Sequence, residues 1–172
     1  MNQTDKNTHV KKQITRTLLE MMKTADFSSI SICSLTAKAG VGRASFYRSF
    51  KSREDVLKQE SDRLAREWGA AFENSPDASI DTVFVSLLDF YKEHAEFYTA
   101  LYQAGLSRIM LGTITDNIGI PDHMPNAQAY LNCFLAYGIY GWIKEWIKRG
   151  MQESGTELHE MFQKDAKKPP AE

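Results

Sequence analysis

The sequence predicts an all-α protein, and three observations carry that prediction. Apolar residues recur at three- and four-residue spacing along most of the 172 residues, no stretch alternates like a strand over a useful length, and only 10 Gly and 5 Pro interrupt the chain. A chain of this length buries a real core. Cys33 and Cys133 lie far apart and form no C-x-x-C pair, so neither a disulfide framework nor a zinc signature is expected, which suits a reducing cytoplasm. The N-terminus lacks the apolar core of a signal peptide. The longest apolar run, residues 133–143, is too short to span a bilayer, so no membrane partner is expected.

Each helix has its own local signals. Val10, Ile14, Leu18 and Met21 form one stripe of a first helix expected to end near Ala25. Ser31 stands as N-cap of a second helix over 32–38, with Ile30 and Leu35 in the positions of a hydrophobic staple, and Ala39 and Gly40 end it. A third helix starts after Gly42 and runs to about Ser49. Ser52 caps a long fourth helix over 53–74, whose first turn carries Glu54 and Asp55 to complement the helix dipole. Residues 79–105 read as one or two amphipathic helices stopped at Gly105. The stretch 112–126, with Pro121 and Pro125, reads as a helix end and loop. A strongly apolar helix over 127–149 and a shorter one over 155–165 follow, and 167–172 is expected to be a disordered tail.

Charge divides the chain in two. Residues 1–66 carry a net +6 and residues 67–172 a net −7, and within 27–53 there are five basic side chains and no acidic one. That split implies a head that meets a polyanion and a body that does not. Two short helices joined by a glycine turn and followed by a cationic flank have the layout of a helix-turn-helix, whose second helix lies in the major groove. Phe46 and Phe50, four apart, are placed to pack inward with Val41, Ile32 and Leu35. The opposite face then presents Arg43, Ala44, Tyr47 and Arg48. Arg reads guanine bidentately, Ala touches a thymine methyl, Ser45 and Tyr47 bond phosphate oxygens, and Lys51 and Arg53 neutralise backbone phosphate.

The segment "ISICSLTAKAGVGRASFYRSFKSREDVL", residues 30–57, resembles the signature of the TetR/AcrR family of bacterial transcriptional regulators: an A-x-x-A-G-V turn, a helix ending in F-Y-x-x-F, then a K-s-[KR]-E flank. The resemblance covers about 45 residues with the first helix. It implies that Arg43, Ala44, Ser45, Tyr47, Arg48 and Ser49 fall on the recognition helix, Ser31 where the second helix meets the DNA backbone, and Lys51 and Arg53 on the phosphate-contacting flank. Gly42 departs from the usual Ser or Thr cap, a change costing only about a few tenths of a kcal/mol. The C-terminal part resembles a subgroup that includes an activator of dihydroxyacetone kinase genes. The organisation implied is a DNA-binding head over 1–52 and a helical regulatory and dimerisation body over 53–166. The activity implied is that of an effector-responsive repressor bound to double-stranded operator DNA. The alternatives are an activator, or a helical ligand- or partner-binding dimer without DNA binding.

The body raises two further expectations. From Leu131 to Ile143 only Asn132 is frankly polar, so that helix needs cover on more than one side, and a second copy of the chain would supply it. The candidate dimer residues are Leu131, Leu135, Gly138, Trp142, Trp146, Leu158 and Phe162. His94, Tyr98 and Tyr102, spaced by four, would share a helix face, and with Phe90 they suggest one wall of a pocket for a small apolar or aromatic effector, Tyr130, Phe134 and Tyr137 forming the other. A plain helical core would show the same stripe. No nucleophile elbow, P-loop, dinucleotide fingerprint or H-E-x-x-H occurs, so no catalytic residue, metal or cofactor is expected.

Overall fold

Local caps fix the register of the first helices. The computed structural model describes residues 3–79 and 82–166, and among them are nine α-helices and no strand. The first, α1, is Gln3–Met22; it stops three residues short of the expected end because Thr24 and Ala25 only close a turn onto the Met21 carbonyl. A 3-10 turn, Phe27–Ser29, leads to α2, Ile32–Lys38. Ser31 caps α2 reciprocally with Ser34: the Ser34 amide donates to Ser31 Oγ at 3.0 Å and the Ser31 amide donates to Ser34 Oγ at 3.1 Å. Gly40 takes φ +64, and the Val41 amide reaches back to the Thr36 carbonyl, the bond that closes a Schellman turn. Gln13 of α1 donates to the Ala39 carbonyl and ties that turn down.

The third helix, α3, is Arg43–Ser49, and the fourth, α4, is Arg53–Glu73 with Ser52 Oγ accepting from the Asp55 amide. Helix α1 packs against α2, α3 and α4. Ile14, Leu18, Ile30, Leu35, Phe46, Phe50, Val56 and Leu57 are all buried, so the three-helix head and the start of α4 share one core. Gln59 of α4 joins both sides, accepting from Lys11 of α1 and donating to the Ser49 carbonyl at the end of α3.

The body follows as α5 (Val83–Glu93), α6 (Ala95–Gln103), α7 (Arg108–Ile118), α8 (Asn126–Lys148) and α9 (Gly155–Ala166). Residues 79–105 thus form two helices, broken at His94, which leaves helical geometry at φ −102, ψ 27. The stretch expected as a helix end and loop contains most of a full helix, α7, which stops at Gly119 with φ +73. Helix α4 packs on α5 and α7, α7 and α6 pack on α8, and α5 carries α9. A Cβ at Gly155 would lie 2.6 Å from an Asp89 oxygen and 2.7 Å from the Val85 carbonyl, so only Gly lets the start of α9 sit this close to α5. None of the described helices is long and apolar enough to cross a membrane. The expected tail, 167–172, lies outside the described residues.

Candidate functional site

Helix α3 is divided between two faces by its own spacing. Phe46 and Phe50 lie inside, their rings 5.7 Å apart, while Tyr47, next to Phe46, is 61% exposed. Arg43, Ala44 and Arg48 are exposed beside Tyr47, and Ser45 is half-buried, accepting from the Arg48 guanidinium at 3.1 Å. Arg43 lies next to Cys33 of α2, and that side chain holds the guanidinium above its ordinary pKa. Ser31 at the start of α2 and Lys51 after α3 are exposed as well. Lys38 in the last turn of α2 is a further exposed cation that sequence reading did not single out, although it belongs to the same basic run. The result is a surface of donors and positive charge carried on a rigid core, which suits a polyanion.

Two residues expected on that surface are elsewhere. Ser49 is buried, and its hydroxyl donates to Asn7 Oδ1 of α1 at 2.9 Å. It lies three residues after Phe46, so the helical repeat turns it inward. Arg53 donates to the Phe27 carbonyl at 2.7 Å and to the Ile30 carbonyl, with its guanidinium 4.7 Å above the Phe27 ring. It is a strut between α4 and the α1–α2 connection.

In the body, a cavity of about 190 Å³ lies between α4, α5, α6, α7 and α8. Phe90 and Tyr98, expected at a pocket, line it, together with Tyr91, Phe84, Leu87, Trp68, Ile114 and Ile139, which were not foreseen. The Tyr91 and Tyr98 rings stand 4.1 Å apart, and burial pushes both phenols well above the ordinary tyrosine range, so both stay neutral. The other residues expected there do not reach it. His94 faces a separate open groove between head and body, among Arg16, Lys23, Arg63, Glu20 and Glu96. Tyr102 packs against the core without lining the cavity. Tyr130, Phe134 and Tyr137 are 71%, 74% and 56% exposed on the outside of α8.

Those three belong instead to an exposed apolar face. Leu131, Leu135 and Gly138 share it, and Met161 of α9 is also exposed. A cluster of large apolar side chains in water on one helix is the mark of a surface that meets another. Of the remaining dimer candidates, Trp142 stacks on Phe84 at 4.7 Å, and Trp146 and Leu158 are buried inside the body. Trp146, three residues after Ile143 on the inward stripe of α8, is core, and Leu158 is core of α9. The side chain of Phe162 lies outside the described ones.

Residues 79–168, just over half of the chain, match the family model of TetR type described as "Transcriptional regulator C-terminal region". Among solved structures, Lin0861 from Listeria innocua superposes with a TM-score of 0.79 at 18% identity, covering 96% of this chain and 93% of that one, a likeness of fold. No curated protein matches the sequence. With an all-helical head and body, and over half its length matched by that family model, the chain belongs to the TetR family of transcriptional regulators.

Proposed function

We propose that this regulator binds operator DNA in a sequence-specific manner as a homodimer and represses by occupying it, with an effector in the body modulating the affinity. Residues 1–52 act as the DNA-binding head and 53–166 as the regulatory and dimerisation body. Helix α3 enters the major groove: Arg43 reads a base edge, Ala44 contacts a thymine methyl, and Tyr47, Ser45, Arg48 and Lys51 bond the backbone, with Ser31 at a phosphate beside α2.

The observation that carries the reading is the division of α3, with Phe46 and Phe50 buried and Arg43, Ala44, Tyr47 and Arg48 on its outer face. The net +6 of the first 66 residues supports it. The apolar outer face of α8 supports the homodimer, because a reader of paired half-sites needs a second head about 34 Å from the first. The test is a genomic footprint with the purified protein. It should protect short sites of two related half-sites with centres about 10 bp apart. Binding no tighter to any genomic site than to random DNA would refute the proposal.

A further inference from the structure

The body cavity is small and its walls are carbon. An apolar cavity of about 150 Å³ engineered in another protein stays dry and takes up benzene, whereas pockets for drug-sized ligands start near 300 Å³. At about 190 Å³, the volume here matches one ring with a short substituent. No charged side chain lines it. The polar side chains of α7 in its wall already have partners: Thr113 Oγ1 donates toward Ser61 and Asp62, and Asn117 Nδ2 donates to the Thr113 carbonyl. An ionised group brought inside would lose its water and gain no counter-charge.

The cavity also has an outer wall of known make-up. Trp68 and Phe90 line it and also line an open groove between α4 and α5. They therefore stand between the apolar interior and solvent. Trp68 is held there by one hydrogen bond, from Nε1 to Ser86 Oγ at 3.1 Å, and by stacking on Phe72 at 5.7 Å. Ser86 lies in the same open groove, so rotating the indole outward breaks a bond that water replaces at little cost.

We infer that this cavity takes one small uncharged single-ring compound, aromatic or alicyclic, admitted from the α4–α5 groove past Trp68. The inference rests on the effector reading above and names the effector's chemical class and its route. Binding is measured on the full chain without DNA, using toluene, 4-methylbenzoate and pyrene as probes of matched ring, added charge and excess size. Toluene should bind once per chain and raise the melting temperature, 4-methylbenzoate should bind about 100-fold more weakly, and pyrene should not enter. Ile139→Phe and Ala65→Leu, each narrowing the cavity from a different wall, should weaken toluene binding while far-ultraviolet circular dichroism stays unchanged. Trp68→Ala should speed toluene association severalfold in stopped-flow mixing. Absence of saturable toluene binding, equal binding of 4-methylbenzoate, or toluene binding untouched by both narrowing variants overturns the site. An association rate unchanged in Trp68→Ala overturns the route. Toluene binding as expected with operator affinity unmoved supports the site and sinks the effector reading instead.

Discussion

Lys58 of α4 lies 2.9 Å from Asp116 of α7, and the same ammonium reaches Asp62, one turn along its own helix, at 2.6 Å. Beneath this pair, Thr113 of α7 places its hydroxyl 2.9 Å from Ser61 Oγ and 2.8 Å from Asp62 Oδ1. Ser61 and Thr113 are buried, so the clasp joins the helix that leaves the head to a wall of the cavity where solvent screening is weak.

The clasp should be measurable as a coupling. Burial opposes the Lys58 charge, but the bonds to Asp62 and Asp116 outweigh it and hold the ammonium above its ordinary pKa. For a lysine raised on folding, the stabilisation is complete below the unfolded value and is lost only as pH climbs through the higher folded one. A double-mutant cycle of Lys58→Ala and Asp116→Ala, read by urea unfolding, should give about 0.5 to 1 kcal/mol, since Asp116 is largely exposed. The value should not change between pH 7 and 9. A coupling that fell across that range would show that another group carries it.

Phe46 is the keystone of the head. Phe46→Ala should cost about 3 to 5 kcal/mol, because a fully buried ring is removed from among Phe50 and its neighbours on α1 and α2. Its exposed neighbour serves as control: Tyr47→Ala should move stability by only about 0.5 kcal/mol, with its loss appearing in DNA affinity. Equal destabilisation by the two substitutions, in chemical denaturation, would contradict the division of α3.

How much of this was legible in the sequence depends on how local each cause is. Helix ends in the head were readable because Ser31, Gly40 and Ser52 act within a few residues of themselves. The inward turn of Ser49 was also readable, since Phe46, Ser49 and Phe50 fall on one helical stripe, but the basic character of the segment drew it outward. Arg53 had no such signal: its partners, the Phe27 and Ile30 carbonyls, are 26 and 23 residues away. The cavity is assembled from five helices, and α8 is apolar nearly all round, so composition could not say that Ile139 faces in while Tyr130 and Phe134 face out.

Arg53 and Lys51, two residues apart, should behave differently. Lys51→Ala should weaken binding to all DNA and reduce the salt slope by about one unit, with folding unaffected. Arg43→Ala should cost about 1 to 3 kcal/mol mainly on the cognate site. Arg53→Ala should lower stability by about 1 to 3 kcal/mol, because the Phe27 and Ile30 carbonyls lose a charged donor, and its DNA affinity should recover at temperatures where the head is fully folded. Melting curves beside fluorescence anisotropy on cognate and random duplexes separate the three. An Arg53→Ala protein with unchanged melting and a reduced salt slope would return that residue to the phosphate contacts.

The outer face of α8 supplies the last prediction. Phe134 and Leu131 are 74% and 56% exposed, on a helix whose Gly138 and Gly141 have nothing within 4 Å of where a Cβ would stand. Two copies related by a two-fold axis would cover these positions with the same positions of the twin, giving close helix approach at the glycines and burial of the aromatic rings between them. Phe134→Glu and Leu131→Glu place carboxylates where such a partner would sit, yet both sites face water in the single chain, so helicity and monomer folding should be kept. Light scattering at micromolar concentration should therefore report a dimer for the wild type and a monomer for the double variant. Operator affinity should fall steeply in that variant, because one head alone contacts one half-site, while affinity for an isolated half-site stays the same. A wild-type monomer, or a double variant that remains dimeric, would exclude this face as the interface and require another element to pair the heads.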